Sequence, residues 1–215
     1  TTAPIAGTPN LTILVGGDPA PALRLLVIAT ALLPLTVVPV FLVSGALGDP
    51  LAILPAALRL AGLIGVAAGV GFLVRARWLR SPTPTQIATI DGFGTLVMAV
   101  LVIGLMQALG ENLRSDPVAA LSTTLAACVA NFGFQIVGAM LCRRLGRPSA
   151  APAVGISTGN RNFVLLPTAL PDAITAPIML FVGAYQIPMY LTPLLLGGFH
   201  RRMARPIVDP QLREV

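Results

Sequence analysis

The sequence predicts an all-α, polytopic membrane protein, and three observations predict it. The chain is 55% hydrophobic and only 10% charged, with a mean hydropathy of +0.86. A soluble domain carries about 25% charged residues, so 215 residues with this composition cannot cover an aqueous surface. The charges are clumped. Between the clumps lie apolar runs long enough for a hydrocarbon core of about 30 Å, which needs roughly 20 helical residues. The runs are continuous rather than alternating, which argues for helices. Lipid admits only helices or closed barrels, because no water is present to satisfy the backbone.

The elements follow in order. Segment one, 9–16, is a short apolar half-helix after a start rich in Pro4, Gly7 and Pro9. Segment two, 21–46, carries Pro34 and Pro39. Segment three is 51–74, and segment four is 90–110 with Thr89 or Asp91 as its cap. Segment five is 117–142. Segment six, 152–170, is apolar at both ends and polar in the middle. Segment seven is 174–199, and from His200 onward the chain is polar and solvated. The expectation is six full spans plus one half-helix, a transmembrane domain over 1–200 and a cytoplasmic tail over 201–215.

Charge placement tests the spans independently. Arg75, Arg77 and Arg80 lie between segments three and four. Arg143, Arg144 and Arg147 lie between five and six, and Arg201, Arg202 and Arg205 follow seven. The other joints are poor in arginine, so every second joint is basic, as alternating crossings require. This puts the C-terminus in the cytoplasm and the protein in the cell membrane, the inner one in a bacterium. Trp78 fits an interfacial anchor. The net charge of +6 therefore reads as topology, not as a nucleic-acid surface.

Metal and nucleophile chemistry find little support. Cys128 and Cys142 stand fourteen apart on one helix and cannot bridge. His200 is the sole histidine, with no second His or Cys beside it. No base neighbours Ser157 in sequence and the acids are dispersed, so no enzyme activity, no metal and no cofactor is expected. Gly62, Gly65 and Gly69 suggest close helix packing in segment three.

Two stretches share a spacing. Pro9-Asn10, a half-helix, Asp18-Pro19, then Pro34 and Pro39 correspond to Arg161-Asn162, a half-helix, Pro171-Asp172, then Pro188 and Pro193. From Asn to the first helix proline is 24 residues in one copy and 26 in the other, and both proline pairs are five apart. Five crossings separate the copies, an odd number, so they point in opposite directions. Inverted repeats with broken helices belong to secondary transporters, which bind substrate at the breaks. A broken helix leaves backbone groups unpaired, and a membrane tolerates those only where they meet protein, water or ligand.

The break in segment six holds Ser157, Thr158, Asn160, Arg161 and Asn162. An arginine at that depth is costly and marks a functional site. Asp18, Asp49, Asp91, Glu111, Asp116 and Asp172 all sit near span ends. The partner of Arg161 is thus a carboxylate elsewhere in a longer chain, a ring of carbonyls, or an anionic substrate matched to the guanidinium fork. A re-entrant loop with Arg161 at the interface is the plainer alternative.

These residues resemble a known family. The run from Pro4 to Asn10, followed by Gly16-Gly17-Asp18-Pro19, resembles the discontinuous fourth helix of the bile acid:sodium symporter family. Leu33-Pro34-Leu35-Thr36 with Pro39 is similar to its fifth helix, and Gly155 to Asn162 to its crossing ninth helix. The resemblance spans the chain as the back part of a ten-helix protein, whose N-terminal helices would be a partner within the full-length protein; the start at Thr1, without Met, fits this. It implies a panel and a core domain and sodium-coupled uptake of organic anions by alternating access. In the family, Glu, Gln and Asn of the pattern Glu-x-Gly-x-Gln-Asn help hold sodium. The matching positions here are Ser157, Arg161 and Asn162, so only the Asn survives. A guanidinium in a low-dielectric pocket repels a cation. Arg161 is therefore expected to replace the ion as a fixed charge, with sodium excluded from this site.

The expected function is transport of a small organic anion, a carboxylate, across the lipid bilayer, with Thr8, Asn10, Ser157, Thr158, Asn160, Arg161 and Asn162 as the binding residues. Asn10 and Asn162 would contact substrate, brace the crossing, or cap helices at the break. Sodium-coupled symport, with sodium held elsewhere, is the alternative. A non-transporting membrane scaffold is the alternative of another class, and it would predict an uninterrupted sixth segment.

Overall fold

A computed structural model describes residues 2–44, 51, 53–165, 168 and 170–205. The helices are α1 (Thr8–Leu14), α2 (Pro19–Ser44), α3 (Ile53–Arg77), α4 (Pro84–Leu105), α5 (Gln107–Ser115), α6 (Pro117–Arg144), α7 (Ala151–Gly159), α8 (Asp172–Thr175) and α9 (Met179–Ala204). Among the described residues, five helical stretches are long and apolar enough to cross a membrane: Pro19–Val43, Ile53–Arg77, Pro84–Ser115, Pro117–Arg144 and Asp172–Ala204. The apolar runs thus form the helices that continuous hydrophobicity predicts. Leu63, Val66 and Val70 on α3, and Phe93, Leu96, Val100 and Ile103 on α4, lie exposed. An apolar surface of this extent marks contact with lipid or protein rather than water.

Local chemistry explains where the helices start and stop. Before α4, Thr83 Oγ1 accepts from the Gln86 N–H at 3.2 Å, and Gln86 Oε1 accepts from the Thr83 N–H at 2.9 Å. This reciprocal cap, with Pro84 in the first turn, starts the helix ahead of the apolar run and replaces the expected cap at Thr89 or Asp91. At the end of α1, Gly16 takes a φ of 79°. Its N–H donates to the Ile13 carbonyl, and the Gly17 N–H to that of Thr12, a left-handed stop that favours glycine. Asp18 Oδ1 then accepts from the Ala20 N–H at 2.9 Å and opens α2. The same stop recurs after α6, where Gly146 has a φ of 76° and two residues later Pro148 blocks continuation.

Three expectations are corrected. Segment six is not a half-helix on both sides of its break: α7 ends at Gly159, and among the described residues before Pro171 only the single 3-10 turn Phe163–Leu165 follows. Residues 166, 167 and 169 lie outside the described residues. The last helix runs on to Ala204, so His200 is not in a solvated tail; it is fully buried. A Cβ added at Gly62, Gly65 or Gly69 would meet nothing within 4 Å, so no described residue packs closely there.

The chain forms two compact units. One comprises Ala31–Thr123 and Phe163–Gln186. Its core is Leu33, Val37 and Phe41 of α2 against Ile53, Ala56 and Leu60 of α3, with Leu170. Phe163, Phe181 and Tyr185 form an aromatic cluster with centroids 4.7 to 5.7 Å apart. The other unit comprises, among the described residues, Thr2–Thr30, Thr124–Asn162 and 187–205. In it α1 packs on α7, and α7 packs on α6 through small residues. A Cβ at Gly155 would lie 2.8 Å from Ala139 Cβ and 2.8 Å from the Gln135 carbonyl oxygen. Close backbone approach of this kind drives helix association in membranes.

The ends of α6 and α9 are tied by one side chain. Arg143 Nη1 lies 3.0 Å from each of the Arg202, Met203 and Arg205 carbonyl oxygens. These are orphan acceptors at a helix C-terminus, where a cation also meets the negative end of the helix dipole. Arg143→Ala is expected to lower stability by about 1 to 2 kcal/mol, since the site is partly open to solvent. Thermal unfolding in detergent at low and high salt measures this. A midpoint unchanged at both salt concentrations would remove Arg143 as a tie.

Candidate functional site where the chain crosses itself

The two breaks meet. Pro4 and Arg161 form an antiparallel bridge. The Ile5 N–H donates to the Asn160 carbonyl at 3.0 Å, and the Asn162 N–H donates to the Ala3 carbonyl at 2.7 Å. The sequence explains why both stretches are extended. Ala3 precedes a proline, which disfavours the helical region, and Pro4 has no N–H to donate. Asn160 leaves the helix with φ −82° and ψ 84°. Each stretch thus supplies backbone hydrogen bonds that the other lacks.

The expected site residues separate into groups. Thr8, Ser157 and Asn160 are buried, and Thr8 Oγ1, Ser157 Oγ and Asn160 Nδ2 lack a hydrogen-bond partner. Buried polar atoms of this kind are uncommon and mark a place for water, an ion or a ligand. Arg161 is half-buried, with Nη1 3.4 Å from the Ser157 carbonyl oxygen. Its charge therefore lies at the C-terminal end of α7, where the helix dipole is negative. Asn162 is half-buried and braces the crossing through its backbone. Thr158 faces α6: its Oγ1 is 2.9 Å from the Phe134 carbonyl oxygen and 2.8 Å from that of Gly155. Asn10, in the first turn of α1, is exposed, and the backbone that pairs with Asn160 and Asn162 belongs to Ala3 and Ile5.

Behind the crossing lies a polar network that the linear reading missed. Asn131 Nδ2 donates to the Gly159 carbonyl at 3.0 Å and to Asn160 Oδ1 at 2.9 Å. Gln135 Nε2 lies 2.6 Å from Asn131 Oδ1, 3.3 Å from Asn160 Oδ1 and 2.8 Å from Thr192 Oγ1. Gln135 Oε1 lies 3.0 Å from His200 Nε2. Asn131, Gln135, Asn160, Thr192 and His200 are all buried. A signal was available: Asn131 and Gln135 stand four apart inside an apolar helix, which puts two amides on one face. Their partners lie 25 to 65 residues away, which spacing along one helix cannot show.

Among the described residues, no group of three or more His, Cys, Asp or Glu is placed to hold a metal ion. No family model matches the chain, and no curated protein or solved structure matches it.

Proposed function

We propose that this membrane protein moves a small organic anion across the bilayer by alternating access, with the paired breaks as its binding region. The observation that carries the reading is the bridge between Pro4 and Arg161, flanked by buried, unpartnered Thr8 Oγ1, Ser157 Oγ and Asn160 Nδ2. Two extended stretches that pair beside the ends of short helices and leave buried polar atoms unsatisfied suit a transporter better than a scaffold. The arrangement fits an inverted repeat of the bile acid:sodium symporter type. Arg161 supplies the charge for a carboxylate, and the hydroxyl and amide groups supply hydrogen bonds. The guanidinium takes the place of a cation, so transport does not need sodium at this point.

A second reading is favoured by one observation. The unpartnered Thr8 and Ser157 hydroxyl oxygens are ligands that suit a hard cation, so sodium-coupled symport is the competing mechanism. Thermal unfolding of the purified full-length protein with a panel of carboxylates, each in sodium and in choline, separates the two. A ligand of the folded state raises the midpoint by mass action. Equal stabilisation in both cations is the expected result. Stabilisation only in sodium would return the symporter, and none with any carboxylate would remove the anion.

A further inference from the structure

The network behind the crossing has a direction, and two acceptors set it: the Gly159 carbonyl, and Thr192 Oγ1, whose own proton goes to the Pro188 carbonyl. The Gly159 carbonyl can only accept, so the Asn131 group 3.0 Å from it is the amide N–H. Asn131 Oδ1 must then face Gln135, whose nearest atom, at 2.6 Å, is accordingly its Nε2. That turns Gln135 Oε1 toward His200, and at 3.0 Å an amide oxygen requires a donor. His200 therefore carries its proton on Nε2 when neutral. Its Nδ1 is left as a lone pair, buried and without a hydrogen-bond partner.

We propose that His200 is a proton-binding site linked, through Gln135 and Asn131, to the Gly159 carbonyl at the crossing. Nδ1 takes a proton from water and forms an imidazolium that carries a proton on both nitrogens; release returns that proton to water. If the end of α7 withdraws, Asn131 loses its anchor and Gln135 is held in this orientation by Thr192 Oγ1; once the Thr192 hydroxyl leaves the Pro188 carbonyl and donates to Gln135 instead, the amide turns and its N–H faces Nε2. That arrangement suits the other neutral tautomer and opposes the imidazolium. The two states of the crossing therefore bind a proton on His200 unequally, which is the condition for linkage.

The surroundings sharpen the consequence. His200 meets α6 at Gln135, and its Cε1 faces α7, 3.0 Å from where a Cβ on Gly155 would lie. The titratable or charged side chains of α6 are Cys128, Cys142, Arg143 and Arg144, and α7 has none. On its own helix, Tyr185 and Tyr190 precede it and Arg201 and Arg202 follow it. None of the three helices carries an Asp or Glu. A proton on His200 is therefore met by the Gln135 oxygen and by no carboxylate of these three helices, so an anion brought to this unit favours it. A protein that carries carboxylates would in this way carry a proton with them; that use rests on the transport reading, whereas the site itself does not.

His200 is the sole histidine of these 215 residues, and in nitrogen-15 histidine labelling of the full-length protein in detergent the signal lost in His200→Gln is assigned to its ring. The expected spectrum at neutral pH is the Nε2–H tautomer. It is expected to titrate within the pH range over which the protein stays folded. Asn131→Leu is expected to move the midpoint by at least about half a pH unit, roughly threefold in proton affinity. Asn160→Ser serves if that variant does not fold. An Nδ1–H tautomer, no titration in that range, or a midpoint unmoved by the variants overturns the proposal. Carboxylate uptake into proteoliposomes is measured separately. Uptake that ignores an imposed pH gradient removes the proton from the transport step, and absence of uptake beside a titrating His200 refutes the transport reading alone.

Discussion

Replacing Gly159 with alanine is expected to destabilise the protein by about 3 kcal/mol or more, the upper end of what overpacking costs. The added Cβ would collide with Gln135 Cγ and with the Asn131 backbone carbonyl oxygen. A side chain can swing away, but the carbonyl belongs to a helix and cannot. Relief requires α7 to lift off α6, which pulls the Gly159 carbonyl away from Asn131 Nδ2. Packing and polar terms are therefore lost together. Gly62→Ala is the control: nothing lies within 4 Å of its added Cβ, and alanine gains up to about 1 kcal/mol over glycine in a helix interior. The midpoints of thermal unfolding in detergent compare the two. A Gly159→Ala protein as stable as Gly62→Ala would mean that α7 does not approach α6 this closely.

Gln135→Leu is expected to cost about 2 to 5 kcal/mol. The side chain removed serves Asn131, Asn160, Thr192 and His200 at once. Each buried partner left unsatisfied costs about 1 to 3 kcal/mol, while polar contacts between helices in a membrane average only about 0.6 kcal/mol. The lower figure applies where orphaned groups find new partners, which a fully buried cluster restricts. Thr192→Val is expected to cost less, because Gln135 keeps its other partners and only the Thr192 bond is lost. Its own hydroxyl also serves the Pro188 carbonyl at 3.0 Å, a bond inside the helix. Denaturant or heat unfolding of the two variants side by side gives the order, and a costlier Thr192→Val would mean that Gln135 is not the hub.

The fold was readable wherever a property belonged to one stretch of chain. Apolar runs located α2, α3, α6 and α9 to within a few residues, because crossing a bilayer imposes length and composition together. The polar residues 157–162 marked a break for the same reason. Reading by apolarity alone set the start of α4 too late, although Thr83, Pro84 and Gln86 spell out a capped start. The pairing of Ala3 to Ile5 with Asn160 to Asn162 was beyond the linear reading, since its hydrogen bonds are made by backbone atoms common to every residue. His200 was misplaced because two arginines follow it and make the segment look like a tail. The ring is nevertheless buried: in a helix a side chain leans toward the N-terminus, here toward Gln135 and away from those arginines. Burial of a polar side chain next to charges is decided by the neighbouring helices.

The most direct measurement is uptake of a stabilising carboxylate into proteoliposomes with choline as the only added cation, for the wild type and for Arg161→Gln. The fixed-charge reading predicts uptake by the wild type without sodium. It also predicts a loss of roughly 10- to 100-fold in apparent affinity for Arg161→Gln, the worth of one charged hydrogen-bonding contact. Uptake that requires sodium in the wild type, or that is unchanged in Arg161→Gln, would contradict a guanidinium acting in place of the ion.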